Sequence, residues 1–216
     1  GLNVLVVINP TGDLDGADDE GTRVQELFGH VPGIDLEPLH REEATRRELL
    51  RRFESGKYDI VHYAGHAFFD PDNRSRSGIL CAGREVLSGA DLASLSMLPS
   101  LVFFNACEAA RIRDGKELAE PAQGTTGFAE SFLAGGVANY LGTYWPVGDK
   151  AAKVFAPAFY TELLAGETLG KSLIKGREAV RKLDLGDWAN YVLYGRPEFT
   201  LAPSNDRTSV PEKAAE

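Results

Sequence analysis

Cysteine, methionine and tryptophan are scarce in this chain of 216 residues, which has two, one and two of them respectively. Cys81 and Cys107 are too few for the disulfide framework that staples a small secreted domain. No apolar stretch approaches the roughly 20 residues of a membrane-spanning helix, and no secretory signal is read at the start. Excess positive charge is missing as well. With 23 Lys and Arg against 32 Asp and Glu, the net charge is −9. That balance argues against a nucleic-acid or anionic-membrane surface, because phosphate contacts need clustered cations. These absences point to a reducing, cytoplasmic setting in which a free thiol persists. What is present is ordinary for a globular protein: 43% of residues are hydrophobic and 25% charged, enough for one large domain with a sizeable core. The chain opens almost inside its first apolar run, as expected of a domain cut from a longer protein.

LNVLVVINP, Leu2 to Pro10, is a continuous apolar run, the pattern of a strand covered on both faces. TGDLDGADDEG is expected as a polar loop, followed by a short helix over Thr22–Phe28 and a second strand over Ile34–Leu39. EEATRRELLRRFESG reads as a charged helix with Leu49, Leu50 and Phe53 on one stripe, closed by Gly56. A third strand is expected over Asp59–Ala64. A polar segment follows, then a hairpin over Gly78–Leu87 turning at Ala82-Gly83 and a helix over Ser88–Leu95 with Ser88 as N-cap. Leu101–Asn105 is the fourth strand, Arg111–Gln123 a polar loop, Thr125–Ala134 a helix and Val137–Gly142 the fifth strand. Helices over Asp149–Ala165 and Leu169–Leu183 and a last strand over Tyr191–Tyr194 complete the pattern. Strands alternating with helices predict an α/β fold with a largely parallel sheet. Residues 203–216, polar and Pro-bearing, read as a disordered tail.

In an open parallel sheet, sites gather outside the carboxyl ends of the strands. Two chemistry-bearing residues are expected there. His66 lies just past the third strand, in DIVHYAGHAFF, and Cys107 lies two residues past Asn105 at the end of the fourth. Neighbouring strands are about 4.8 Å apart, so if these two pair, imidazole and thiol can face each other across the rim. That is the minimal nucleophile–base pair for acyl transfer, since a thiol with a pKa near ~8.5 needs an imidazole to become a thiolate at neutral pH. The backbone N–H groups of Ala67 and Cys107 are the natural oxyanion donors, and Gly65 lets the chain bend just before the histidine.

His62 reads instead as a core residue on a helix-covered face. On a strand it would sit roughly 13 Å from His66, too far to share a zinc ion. Cys81, His30 and His40 receive no role. The loop NPTGDLDG carries the Thr and Gly of a phosphate cradle but lacks a P-loop lysine. The acids Asp13, Asp15, Asp18, Asp19 and Glu20 read as a solvated loop rather than a metal site. Asp149 is placed to cap the helix that follows it.

HYAGHA, FFNACEAA, GFAESFLAGGVANYLGTYWPVGD and WANYVLYGRPEF, in this order and at these intervals, resemble a CHAT domain. That family is bacterial and caspase-like, related to separases, caspases and metacaspases, and the resemblance runs from Leu2 to Leu201. It implies a caspase-haemoglobinase fold over residues 1–202: a three-layer α/β sandwich with a mainly parallel sheet of about six strands and helices on both faces. It implies a cysteine endopeptidase with His66 as general base and Cys107 as nucleophile, working through a thioester acyl-enzyme. Neither a cofactor nor a third catalytic side chain is implied.

This chain departs from the family at two positions. Ala67 stands where relatives carry Gly, and Asn105 stands where metacaspases carry the Asp that helps receive a basic side chain. By its likeness to a separase segment, TYWPVGD places Asp149 in the primary specificity pocket, with Tyr144 and Trp145 as its wall. A protein or peptide substrate is expected, along with a regulatory partner or a fused sensor or repeat module. Two rival readings stand beside this one: a CHAT-like scaffold that binds a peptide or partner without cutting it, and a nucleotide- or phosphate-binding α/β domain using NPTGDLDG.

Overall fold

The computed structural model describes residues 1–68, 70, 72–95, 97–105, 112–113, 116–117, 129, 133–143, 147–183 and 186–201. Its first half runs β1 (Leu2–Ile8), α1 (Asp15–Gly29), β2 (Ile34–His40), α2 (Arg46–Glu54), β3 (Ile60–Ala64), β4 (Ala67–Phe68), β5 (Gly78–Leu80), β6 (Val86–Ser88), α3 (Gly89–Leu92) and β7 (Leu101–Asn105). Then come β8 (Ile112–Arg113), β9 (Lys116–Glu117), β10 (Tyr140–Thr143), α4 (Asp149–Leu164), α5 (Leu169–Arg181) and β11 (Tyr191–Tyr194).

Six of these strands form one sheet in the order β11-β10-β7-β3-β1-β2. Every pairing is parallel except that of β10 with β11, which is antiparallel at the edge. The sheet's composition accounts for this arrangement. β3 and β7 are buried at every position, and such unbroken apolar runs suit strands covered on both faces. Alternate residues serve the two layers. Val4, Val6, Ile8 and Phe103 pack with Val24 and Phe28 of α1 and with Phe155 and Phe159 of α4. Leu5, Val7, Val61, Tyr63 and Phe104 pack with Leu49 and Phe53 of α2 and Leu92 of α3. Each fully buried side chain of this kind contributes about 1.5–3 kcal/mol. The expected α/β sandwich, with a mainly parallel six-stranded sheet and helices on both faces, is the fold observed.

Several expected elements are corrected. α1 begins at Asp15, seven residues ahead of Thr22, so Glu20 is a fully buried helical residue and not part of a solvated loop. Its first turn carries Asp15 and Asp18, acids that suit a helix N-terminus. The inward stripe runs through Gly16, Ala17 and Gly21, small residues that leave no hydrophobic signature. At Gly21 a Cβ would come within 2.5 Å of Ile8, so glycine lets α1 press against β1.

α2 starts after Thr45, whose hydroxyl accepts from the Glu48 amide at 3.2 Å, a cap worth about 1 kcal/mol. α3 is one turn, closed by a reciprocal box between Ser88 and Asp91. β10 begins at Tyr140, later than Val137. Within the expected Arg111–Gln123 loop, β8 pairs with β9. Of the expected Thr125–Ala134 helix, Ala129, Leu133 and Ala134 are helical. The proposed tail, residues 203–216, lies outside the described residues. Among the described residues, no helix is long and apolar enough to cross a membrane.

Candidate active site

β3 and β7 pair so that Ala64 stands opposite Asn105. The ladder continues one step further, with Gly65 N–H donating to the Asn105 carbonyl at 3.4 Å. On the other side of β3, the Asn9 amide donates to the Ala64 carbonyl at 2.8 Å. The carboxyl ends of β1, β3 and β7 therefore lie side by side, as the usual siting rule requires.

His66 follows this ladder and is only 4% exposed. Its carbonyl oxygen is fixed twice: the Leu80 amide donates to it at 3.0 Å, and the Tyr63 hydroxyl does so at 2.6 Å. Gly65 is needed here for space rather than for an unusual φ. A Cβ at this position would stand 2.5 Å from the Tyr63 hydroxyl and 3.1 Å from Cδ of Pro10.

The imidazole is held from one side. Nε2 lies 3.0 Å from Oδ1 of Asp13, while Nδ1 is buried with no hydrogen-bond partner among the described residues. Asp13 comes from the loop after β1. That loop turns through Asn9 at φ +46 and Gly12 at φ +73, with the Asn9 carboxamide accepting from the Leu14 amide and donating to Asp18. Asp13 also accepts from the Thr11 hydroxyl, and its Oδ2 lies 3.3 Å from Nη1 of Arg84. Partial burial works to raise the Asp13 carboxyl. The Thr11 bond, the charge and bond of His66, and Arg84 together outweigh it and hold the group below its ordinary range. The sequence pattern alone puts Asp13 among solvated acids and predicts no side chain on the imidazole, and the contact corrects both expectations.

Of the remaining expected site residues, Cys107, Tyr144 and Trp145 lie outside the described residues. Ala67 is half-buried where β4 begins and pairs with Ile79 of β5. Asn105 is fully buried, and its Nδ2 donates to Glu20 Oε1 at 2.9 Å. Asp149 is exposed and is the first residue of α4, with Gly148 as the N-cap. The expected capping role is therefore corrected: Asp149 favours the helix end by its charge in the first turn. It lies against α1, where a Cβ at Gly16 would collide with its carboxylate.

A second polar centre lies inside the sheet–helix interface. His62 is fully buried, with Nδ1 3.1 Å from the Tyr160 hydroxyl and Nε2 3.1 Å from Glu20 Oε1. The second approach is a close polar contact rather than an aligned hydrogen bond. Its ring meets Phe103 edge-on, with centroids 4.9 Å apart. Burial, and then the nearby Glu20, push the Tyr160 hydroxyl well above its usual range. Cys81 is also fully buried; desolvation first and Glu85 second push its thiol up to about 12, which makes it inert at neutral pH. Among the described residues no three His, Cys, Asp or Glu side chains form a metal cluster.

Comparison with known proteins gives a consistent outcome. The family model for the CHAT domain matches residues 3–196. Tetratricopeptide repeat protein 28 of Mus musculus is 30% identical over 56% of this chain, and its Homo sapiens counterpart is 27% identical over 90%. The chain spans only 5% and 9% of the length of those two proteins. Among solved structures, the Saccharomyces cerevisiae separase–securin complex matches 92% of this chain with a TM-score of 0.58 at 21% identity, covering 12% of that chain. The Arg specific cysteine proteinase gingipain R matches 92% of this chain with a TM-score of 0.59 at 14% identity, covering 47% of that chain. At these identities the two structures establish the fold, which is caspase-like.

Proposed function

The chain belongs to the CHAT-domain family, and from that premise we propose that it is a cysteine endopeptidase using His66 and Cys107. One observation carries this reading: an imidazole at the carboxyl end of β3, beside β7, with one ring nitrogen engaged and the other buried and unpartnered among the described residues. Such an unsatisfied buried group calls for a reason, and a general base is one. Cys107 follows Asn105 by the same two residues that separate His66 from Ala64.

In the proposed reaction the Cys107 thiol passes its proton to His66, and the thiolate adds to a peptide carbonyl carbon. Backbone N–H groups of Ala67 and Cys107 receive the oxyanion. Collapse expels the amine, which takes the proton from the imidazolium and leaves a thioester. Water then adds, again with His66 taking its proton, and releases the acid and the thiol. Asp149, with Tyr144 and Trp145, lines the primary specificity pocket in this reading, while Asn105, expected there as well, is fully buried with its carboxamide on Glu20. Asp149 favours a basic residue before the cut. The kinship with tetratricopeptide repeat proteins supports gating by a repeat module or protein partner.

A non-cutting peptide-binding scaffold is the second reading. It is favoured by the Asn105 carboxamide, which faces buried Glu20. A proteome-wide cleavage profile of the wild type against Cys107→Ala decides between them. The peptidase reading expects new amino termini that depend on Cys107 and follow Arg or Lys, and an unchanged profile overturns it.

A further inference from the structure

We infer that Asp13 is a positioning residue for His66, fixing the tautomer that leaves Nδ1 with a free lone pair. The inference rests on the peptidase reading for its consequence, and on the geometry of the described residues for its substance. A neutral imidazole has one N–H and one lone pair, and an ionised carboxylate can only accept. With Asp13 Oδ1 at 3.0 Å from Nε2, the ring proton belongs on Nε2. Nδ1, buried and without a partner among the described residues, then carries the lone pair that a base requires. Without the carboxylate either tautomer is open to the ring, and one of them replaces the Nδ1 lone pair that the proposed base requires with an N–H.

Three features set Asp13 apart from an incidental surface ion pair. Its two oxygens have different partners: Oδ1 faces His66 and also accepts from the Thr11 hydroxyl, whereas Oδ2 lies toward Arg84, so the arginine orients the carboxylate without competing for the imidazole. Its carboxyl is held ionised, as the lowered titration of the group reflects. Arg84 itself sits at φ +62 after Gly83 at φ +72, in the turn between β5 and β6. Such a turn favours Gly, Asn or Asp at these positions. Arginine is an unusual occupant of this turn, and its side chain is one that reaches Asp13. The contact joins three separate segments (the loop after β1, the end of β3 and the β5–β6 turn) around one ring.

The test uses the full chain with Asp13→Ala, Asp13→Asn and Asp13→Glu. Nitrogen NMR of ring-labelled histidine reads the His66 tautomer directly and needs no activity. The wild type is expected as the Nε2–H form and Asp13→Ala as a mixture. Alongside it, the rate at which a peptidyl electrophile modifies Cys107 is expected to fall at least about tenfold in Asp13→Ala and Asp13→Asn. The reversible affinity for the peptide portion should stay unchanged and the rate recover in part in Asp13→Glu. An identical tautomer and rate in wild type and Asp13→Ala overturns the inference. A wild type whose Cys107 never outpaces a free thiol, while His66 still changes tautomer on loss of Asp13, overturns the peptidase reading and upholds the positioning role.

Discussion

His62 and His66 stand four residues apart on one run, both nearly inaccessible, and they differ in what their ring nitrogens meet. Each nitrogen of His62 lies 3.1 Å from a buried polar atom, one on α1 and one on α4. His66 has Asp13 on one nitrogen and no hydrogen-bond partner among the described residues on the other. Burial alone therefore does not separate a structural histidine from the proposed base. Inside a strand, the neighbours are helices packed across the sheet; they set a polar atom 3.1 Å from each nitrogen of His62, although only the Tyr160 approach is an aligned hydrogen bond. At the strand's end the neighbours are loops, and they leave Nδ1 of His66 without a hydrogen-bond partner among the described residues.

The sharpest way to test this difference is to remove each ring in turn. His66→Ala is expected to slow modification of Cys107 by a peptidyl electrophile about 10³-fold or more at neutral pH, with the urea midpoint little changed. Cys81 will not confuse the measurement, because its buried thiol, pushed up to about 12, stays protonated. An equal loss of rate in His62→Ala, measured on the folded fraction, would break the comparison.

The converse experiment acts on stability. Glu20→Ala removes the acceptor that faces both His62 and the Asn105 amide, leaving polar groups stranded in a dry interior. A loss of about 3–5 kcal/mol is expected from urea unfolding. Cys107 reactivity per folded molecule should fall far less than in His66→Ala. A variant as stable as wild type would show that the inner centre does not hold the fold together.

The backbone at the boundary between the two histidines gives an intermediate effect. Gly65→Ala forces a methyl to within 2.5 Å of the Tyr63 hydroxyl. It should cost about 1–3 kcal/mol and displace His66 along with its carbonyl. Tyr63→Phe removes the hydroxyl in question, so the double variant should lose less than the sum of the two single losses. Additive losses would mean that the clash is relieved elsewhere.

Sequence reasoning could reach His66 and His62 but not the group that distinguishes them. The strand run LVFFN is legible because a buried strand needs little more than apolar residues in succession, and the expected Tyr191–Tyr194 strand matches β11 to the residue. The first half of α1 is illegible because its buried stripe there is built from Gly16, Ala17 and Gly21, whose contribution is close approach rather than hydrophobicity. Asp13 was one acid among five in a polar stretch. Only the strand order, which sets the end of β1 beside the end of β3, selects it across 53 residues of chain. Local pattern gives the elements, whereas the partner of a ring nitrogen depends on which loops the sheet brings together.

The smallest expected effect concerns acid. Asp13 has a folded-state pKa below its unfolded value of 3.8, so its ionised form binds the native state better. That contribution is fully present above about pH 4 and is lost as pH falls through the lower folded value. Because the side chain is 46% exposed, solvent screens the interaction, and the contribution should be no more than about 1 kcal/mol. Asp13→Asn lacks the titrating group. The stability gap between wild type and this variant, read from urea midpoints, should close as the pH drops below 3.8. If the Asp13→Asn gap persists unchanged into acid, the carboxylate's charge does not stabilise the native state, and the outer histidine is held by shape alone.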